Sequence, residues 1–403
     1  MKTYQWVVVV FVSMVHFSAF TQRMDIVPFL VDLRDVYDVG YAEVGGLASA
    51  FLLGYALFQI PAGMLADRYS PKLLIFIGVS VMFAASLLFA VLEVFWLALV
   101  LRFIMGLSSA MLFSPGIKLV STFTPSDKRG VSIGIMEGGA GLGMLMTLTV
   151  LPILSLYVDF RILFIFLSFL LLVLLISFLF LPAYNKKEVE AEKQSEGFRL
   201  KRLSLIELIK KPIVLRLVGI SFFGLFGLHG FITWLPTYLE TLGGFSKNQV
   251  GGIMAVTMIS QIIMGPVSGK VSDWMGERRT TLIAGSIMMA VSSVWLLAFK
   301  DSGIYFAAVL IGAGISWAMA PMLTIASELI KESEGAVISI INTVGQSASA
   351  ISGYVYGLIF EWTGHFQWIW FSCLLMFTIR IVLSLGKLEE KGSGTSREET
   401  ENA

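Results

Sequence analysis

Ionisable side chains stand inside otherwise apolar runs at Arg23, Asp25, Arg102, Glu137 and His229. A charge within hydrocarbon costs at least about 2.5–3.5 kcal/mol on insertion scales, so each position asks for a chemical role. The guanidinium of Arg23 stays charged at any working pH, and its fork of donors suits a carboxylate or a phosphate. Its competing roles are a permanent pair with Asp25 or another acid, and snorkelling to the outer surface. Asp25 lies two residues on, about 200° round a helix, so the two do not share a face. It is expected near the outer mouth, where it can serve coupling. Glu137 sits in Gly134-Ile135-Met136-Glu137-Gly138-Gly139-Ala140-Gly141-Leu142-Gly143, whose glycines at four-residue spacing let another helix approach. A carboxylate facing a cavity there can take up and release a proton; the alternative is a fixed pair with a lysine or arginine. Arg102 can form half of a structural pair. His229 is of the type that titrates near neutrality, and it either reads a proton or packs as a satisfied core histidine.

Neutral polar groups able to line the same cavity are Tyr55, Gln59, Gln261, Trp317, Asn342 and Gln346, plain packing being the other role of each. Asp67, Arg68, Arg129 and Asp273 stand where apolar runs end, placed to gate by exchanging ion pairs or only to set topology. Lys118, Glu328 and Arg380 lie near inner ends and are expected to snorkel. The single cysteine, Cys373, leaves no disulfide framework or cysteine metal site. Gly392-Ser393-Gly394-Thr395-Ser396 lacks the lysine and strand of a phosphate loop, so no nucleotide, metal or other cofactor is expected, and no catalysis.

The elements that must hold these residues are membrane spans. The chain has 403 residues, 56% hydrophobic and 14% charged, against about 45–50% and about 25% in ordinary soluble domains. So much apolar surface cannot be hidden in a water-soluble core, and a formal charge of +1 does not suit a nucleic-acid partner. Segments of about 20 apolar residues cross the hydrocarbon, and the sequence divides into twelve. They are Gln5–Leu30, Glu43–Ala66, Lys72–Leu92, Phe95–Val120, Gly130–Leu154, Phe160–Leu181, Pro212–Leu239, Gln249–Val271, Thr280–Phe299, Gly303–Leu329, Gly335–Phe360 and Phe366–Leu385. Basic residues gather on one side (Lys2, Arg68, Lys72, Lys128, Arg129, Arg278, Arg279, Lys387), while Asp32, Asp35 and Asp38 mark the other. The basic side is expected to be cytoplasmic, with both termini inside. This is an all-α membrane protein with an N-terminal bundle (1–183), a cytoplasmic linker (184–211), a C-terminal bundle (212–388) and a disordered tail (389–403). Apolar and basic residues alternate at helical spacing over Phe198–Ile209, the pattern of an amphipathic helix on the inner leaflet, a plain solvated tether being the alternative.

The two halves repeat. Gly63-Met64-Leu65-Ala66-Asp67-Arg68-Tyr69-Ser70-Pro71-Lys72 follows the second span, and Gly269-Lys270-Val271-Ser272-Asp273-Trp274-Met275-Gly276-Glu277-Arg278-Arg279 follows the eighth. Both read Gly-x-x-x-Asp and then basic residues. Lys128-Arg129-Gly130 and Ser333-Glu334-Gly335 open the fifth and eleventh spans at nearly the same offset. The chain is therefore a duplicated six-helix unit.

On these residues the chain resembles the major facilitator superfamily over about residues 5–385, with Ser70-Pro71 in place of the usual Gly-Arg. The resemblance implies two pseudo-symmetric six-helix bundles that hold substrate between them near the midplane, with the Gly63–Lys72 loop steadying the outward-facing state. Gly54-Tyr55-Ala56-Leu57-Phe58-Gln59-Ile60-Pro61-Ala62-Gly63, Arg23 five residues before Pro28, and Trp234-Leu235-Pro236-Thr237-Tyr238-Leu239 resemble the organic-anion (anion:cation symporter-like) members. In those members the arginine binds the substrate anion, and Arg102 resembles a fourth-helix residue tied to coupling. Departures are Gln22 where many carry an acid, Ser108-Ser109 where glutamate is frequent, and no exporter-motif proline in Gly134–Gly143. An offset of 206 maps His229 onto Arg23, aligning Pro28 with Pro236 puts Phe231 there instead, and an offset of 205 pairs Glu137 with Asn342.

The expected function is alternating-access transport of a small organic anion, a carboxylate, by symport with a proton in the cytoplasmic membrane. Arg23 would hold the anion, and Glu137 or His229 the proton. A monomer suffices, its partners being that anion, a proton and the lipid bilayer. The alternatives are a proton-driven exporter of hydrophobic or drug-like compounds, suggested by 19 Met and 31 Phe, and a membrane-bound ligand sensor.

Overall fold

The computed structural model describes residues 3–125, 128–181, 210–299, 302–329 and 334–386. The amphipathic segment expected between 198 and 209 and the tail from 389 lie outside these residues. Among the described residues fourteen α-helices run α1 Thr3–Met24, α2 Leu30–Tyr37, α3 Tyr41–Arg68, α4 Pro71–Val91, α5 Phe95–Phe123, α6 Arg129–Leu145, α7 Leu151–Leu154, α8 Phe160–Ser177, α9 Pro212–Thr241, α10 Lys247–Met275, α11 Arg278–Phe299, α12 Ile304–Leu329, α13 Glu334–Thr363 and α14 Gln367–Leu385. Among the described residues there is no strand. With α1 joined to α2 and α6 to α7, these helices form the twelve spans.

Two expected single spans are broken, each at a proline. A helix through Pro28 would leave the Met24 carbonyl without its N–H donor, and the chain passes instead through a short turn, Val27–Phe29, before α2. Pro152 does the same to the Leu148 carbonyl, and Met146–Val150 widens into one turn of π-helix between α6 and α7.

The duplication is visible in the packing. In the first half α3 packs on α5, α4 on α5, α1 on α6 and α4 on α8. In the second half α10 packs on α12, α11 on α12, α9 on α13 and α11 on α14. Each pair in one list is the repeat of the pair at the same place in the other. Small residues allow the close crossings: a Cβ at Gly54 would strike the Phe103 carbonyl, and one at Gly106 the Phe51 carbonyl.

The bundles meet through α3 on α13 and through the α6–α7 region on α10, again a symmetric pair. Contact is tightest at the end bearing Tyr41. There Gly45 and Gly353 bring backbones together, the Ala42 N–H donates to Glu361 Oε1 at 2.9 Å, the Tyr354 N–H donates to Ser49 Oγ at 3.0 Å, and Lys247 pairs with Asp32 at 2.8 Å. Tyr41 packs its ring edge-on to Phe360, with centroids 4.6 Å apart. Toward the Arg68 end the helices diverge: a Cβ at Gly63 of α3, Gly134 or Gly138 of α6, or Gly269 of α10 would meet nothing within 4 Å.

Of the basic residues expected to snorkel, Arg380 does not. Lys118 donates to the Ala66 carbonyl near the end of α3. Arg380 is buried against Gly224, and its Nη2 donates to the Ala318 carbonyl at 3.4 Å. Arg380 is packed inside its bundle with no route to the surface, whereas Lys118 is half-buried. The side chain of Glu328 lies outside the description.

Candidate functional site

The break in α1 puts two arginines to opposite uses. Ending at Met24, the helix leaves orphan carbonyls, and Arg102 of α5 takes them, donating to the Gln22 carbonyl at 2.9 Å and the Arg23 carbonyl at 3.3 Å. It also pairs with Asp25 at 2.8 Å and lies between the rings of Phe51 and Phe89. The pair is closed to solvent, with side chains 0% and 2% exposed. A cation at a helix C-terminus is favoured by the helix dipole, so Arg102 and Asp25 hold the broken end of α1 in place. Asp25 is not at an outer mouth, and it does not pair with Arg23.

Arg23 has neutral partners only. Its Nη2 donates to Gln346 Oε1 of α13 at 2.7 Å and to His229 Nε2 of α9 at 3.0 Å. The Phe20 and Tyr55 rings lie 5.6 Å and 5.5 Å from the guanidinium carbon, and Nε has no partner. Among the described residues no carboxylate pairs with this buried cation. It joins the N-terminal bundle to the C-terminal one at the centre of the molecule.

The surrounding hydrogen bonds set the histidine's tautomer. Ser349 Oγ donates to the Gly345 carbonyl at 3.1 Å and lies 2.8 Å from His229 Nδ1. With the hydroxyl proton spent, Nδ1 must carry the hydrogen, and Nε2 presents its lone pair to Arg23. The same contacts give the register of the repeat. Ser13 Oγ donates to the Ile135 carbonyl across α1 and α6, as Ser221 Oγ donates to the Ile341 carbonyl across α9 and α13. Ser13 thus corresponds to Ser221 and Ile135 to Ile341. His229 then falls opposite Thr21 rather than Arg23, and Glu137 opposite Thr343 rather than Asn342.

Glu137 is exposed. Its helix turns Gly139 and Gly143 toward α1, where a Cβ would strike the Ser13 and Phe17 carbonyls, and leaves Gly134, Gly138 and Gly141 in open space. Gln59 Oε1 and Trp317 Nε1 are buried without partners, while Gln261 and Asn342 are half-buried. A cleft on the N-terminal side of Arg23 is lined by His16, Phe20, Tyr55, Ser109, Leu112 and Phe113, together with Ala19 and Arg23 itself.

The residues named for gating lie far from this centre. Arg68 and Asp273 are exposed, Asp273 being paired with its neighbour Arg278, and the side chains of Asp67 and Arg129 lie outside the description. Sequence reasoning missed Ser349, His16 and the seal formed by Glu361, Asp32 and Lys247. Heptad spacing of His16 and Arg23 on α1 would have shown the second, whereas the others depend on contacts across the molecule.

The sequence model of the Major Facilitator Superfamily matches residues 11–245 and 244–402. A protein of Cupriavidus necator described as "Probable sulfoacetate transporter SauU" is 24% identical over 384 residues, covering 88% of this chain and 87% of that protein. The hexuronate transporter of Bacillus subtilis is 23% identical over 363 residues, covering 83% of each. Among solved structures, a bacterial homologue of the human lysosomal transporter Spinster, in an inward-facing and unoccupied conformation, superposes with a TM-score of 0.70 at 15% identity, covering 95% of this chain and 96% of that one.

Proposed function

The chain belongs to the Major Facilitator Superfamily, as a multi-pass membrane transporter and not an enzyme, and on that premise we propose that it carries a small organic carboxylate by proton-coupled symport. The observation that carries this reading is the buried Arg23 with neutral partners only. A desolvated guanidinium without a counter-charge is costly, and a substrate carboxylate binding bidentately supplies one. That relatives are named for hexuronate and sulfoacetate transport supports the same reading.

Coupling follows from the same contacts. A carboxylate that draws the guanidinium away frees His229 Nε2 to accept a proton, and the exposed Glu137 of α6 is a second acceptor. Arg102 and Asp25 act as positioning residues that fix the end of α1, on which Arg23 is mounted. The arrangement closed at the Tyr41 end and divergent at the Arg68 end is one of two access states. Rocking about the central contact exchanges them, with Asp67, Arg68, Arg129 and Asp273 meeting when the Arg68 end closes. The basic residues at that end support a cytoplasmic position for it and for both termini.

Internal pH in proteoliposomes tests the reading as mono- and dicarboxylates are added outside. The expected result is acidification of the lumen with a carboxylate, lost in Arg23→Gln. In Glu137→Gln, anion exchange without acidification is expected. Uptake that persists in Arg23→Gln would overturn the anion site, and uptake without pH change would overturn proton coupling. Transport confined to uncharged apolar compounds would favour the exporter alternative.

A further inference from the structure

The Tyr41 end carries an acid that the fold leaves unpaired. Glu240 is the penultimate residue of α9, one past the apolar run that ends at Leu239. It is half-buried, and its Oε1 is enclosed without a hydrogen-bond partner. The chain reverses directly after it: the Gly243 N–H donates to the Tyr238 carbonyl, the Phe245 N–H donates to the Leu239 carbonyl, and Gly244 takes a φ of 63°. That tight turn starts α10 at Lys247, in the same bundle as Glu240. Lys247 nevertheless reaches into the other bundle, 2.8 Å from Asp32 and 5.6 Å from the centre of the Phe29 ring. Phe29 lies in the break after α1 and Asp32 just beyond it, so one ammonium ties the C-terminal bundle to the turn that follows Arg23. Of the charged groups at this end, Lys247 attracts Glu240 and Asp32 repels it. Arg34 and Asp35 of α2 pair with each other, Glu361 of α13 is engaged by α3, and α14 brings no charged side chain before Arg380.

We infer that Glu240 is the proton acceptor that latches the Tyr41 end: neutral, it leaves Lys247 to Asp32 and the bundles stay joined, whereas ionised, it draws Lys247 back to its own bundle, repels Asp32, and that end opens. The inference rests on this end being one side of an alternating-access carrier, and not on what binds at Arg23. Two carboxylates and one ammonium cannot all be satisfied in a site partly shut off from water. An ionised carboxylate with an enclosed, unbonded oxygen is costly there, and a proton on Glu240 removes both that cost and the repulsion from Asp32. The closed arrangement therefore holds one proton more than the open one, in which Glu240 meets water. By linkage, the closed population falls as pH rises. Closing this end takes that proton from the solution it faces, a step separate from any proton on His229 or Glu137.

The test is the distance across that end in the full-length protein, held in lipid nanodiscs without substrate. Double electron–electron resonance reads it between spin labels on Val94→Cys, in the exposed loop before α5, and His365→Cys, in the exposed loop after α13. The native Cys373 is buried and should take no label. As the pH is raised from mildly acid to mildly alkaline, the long-distance population is expected to grow several-fold. Glu240→Gln is expected to stay short throughout, and Asp32→Asn, which leaves Lys247 no rival acid, to lose the pH response. A wild-type distribution that ignores pH overturns the inference, as does a response that persists in folded Glu240→Gln. If thermal unfolding shows that Glu240→Gln does not fold, Asp32→Asn decides, and a response of wild-type size overturns the inference. A response abolished by Glu240→Gln, in a protein whose lumen no carboxylate acidifies, upholds the latch and removes the proposed symport. Carboxylate-driven acidification with no pH response in the distance does the reverse.

Discussion

Arg23 and Arg102 are chemically the same residue in the same apolar setting, and only their partners separate them. Arg102 has a carboxylate at 2.8 Å and backbone carbonyls around it, so its charge is spent within the fold. Arg23 has an amide and an imidazole, neither of which neutralises its charge, as the proposed anion site requires. Breaking a buried pair from one side typically costs about 3–5 kcal/mol, because the remaining charge is uncompensated. Asp25→Asn or Arg102→Leu should therefore lower the thermal unfolding midpoint by many degrees in detergent, and replacing both together should recover much of the loss. Arg23→Gln should leave the midpoint nearly unchanged while abolishing anion uptake. Equal destabilisation by Arg23→Gln and Arg102→Leu would contradict this division.

At the scale of elements, α6 shows how one glycine-rich helix serves two faces. Gly139 and Gly143 let α1 approach, while Gly134, Gly138 and Gly141 border open space beside Glu137. Gly143→Val should cost about 1–3 kcal/mol by overpacking, since the Phe17 carbonyl that it meets belongs to backbone that cannot swing aside. Gly141→Ala should be neutral, or stabilising by up to about 1 kcal/mol through helix propensity. Thermal unfolding of the two variants checks the assignment, and similar losses in both would refute it. The prolines act at the same scale. Pro28 ends α1 at the turn where Arg23 must face inward, and Pro152 widens the π-turn that packs on α10.

For the whole molecule, the contacts at the Tyr41 end are what would hold the proposed access state closed on that side. Glu361 accepts from the first turn of α3, and Lys247 of α10 reaches Asp32 of α2, so the seal is made of cross-bundle polar contacts over a glycine crossing. The Lys247–Asp32 pair is about a quarter to a third exposed, so it contributes no more than about 1 kcal/mol, near fivefold in population. Labelling of Ser49→Cys by a membrane-impermeant maleimide should be slow, and should speed up several-fold in Lys247→Gln or Glu361→Gln. The native Cys373 is buried and should stay silent. Labelling that is unaffected by either substitution would remove these residues from the seal.

The twelve spans, the internal duplication and the isolation of Arg23 among apolar residues were legible in the sequence, because each rests on local chemistry. In hydrocarbon every segment must satisfy its own backbone, so hydropathy and length mark the spans without knowledge of their neighbours. A lone cation among apolar residues is likewise visible wherever the chain takes it. Offsets between loops registered the repeat only to within a residue or two, and the Ser13 and Ser221 bonds were needed to set it. Tertiary structure alone decided which arginine is neutralised, for Asp25 meets Arg102 across 77 residues of sequence. It also decided that His229 meets Arg23 across 206, and that the bundles close at the Tyr41 end. Such pairings depend on how helices cross, and crossings follow from packing between distant segments, which no local pattern of hydropathy or charge encodes.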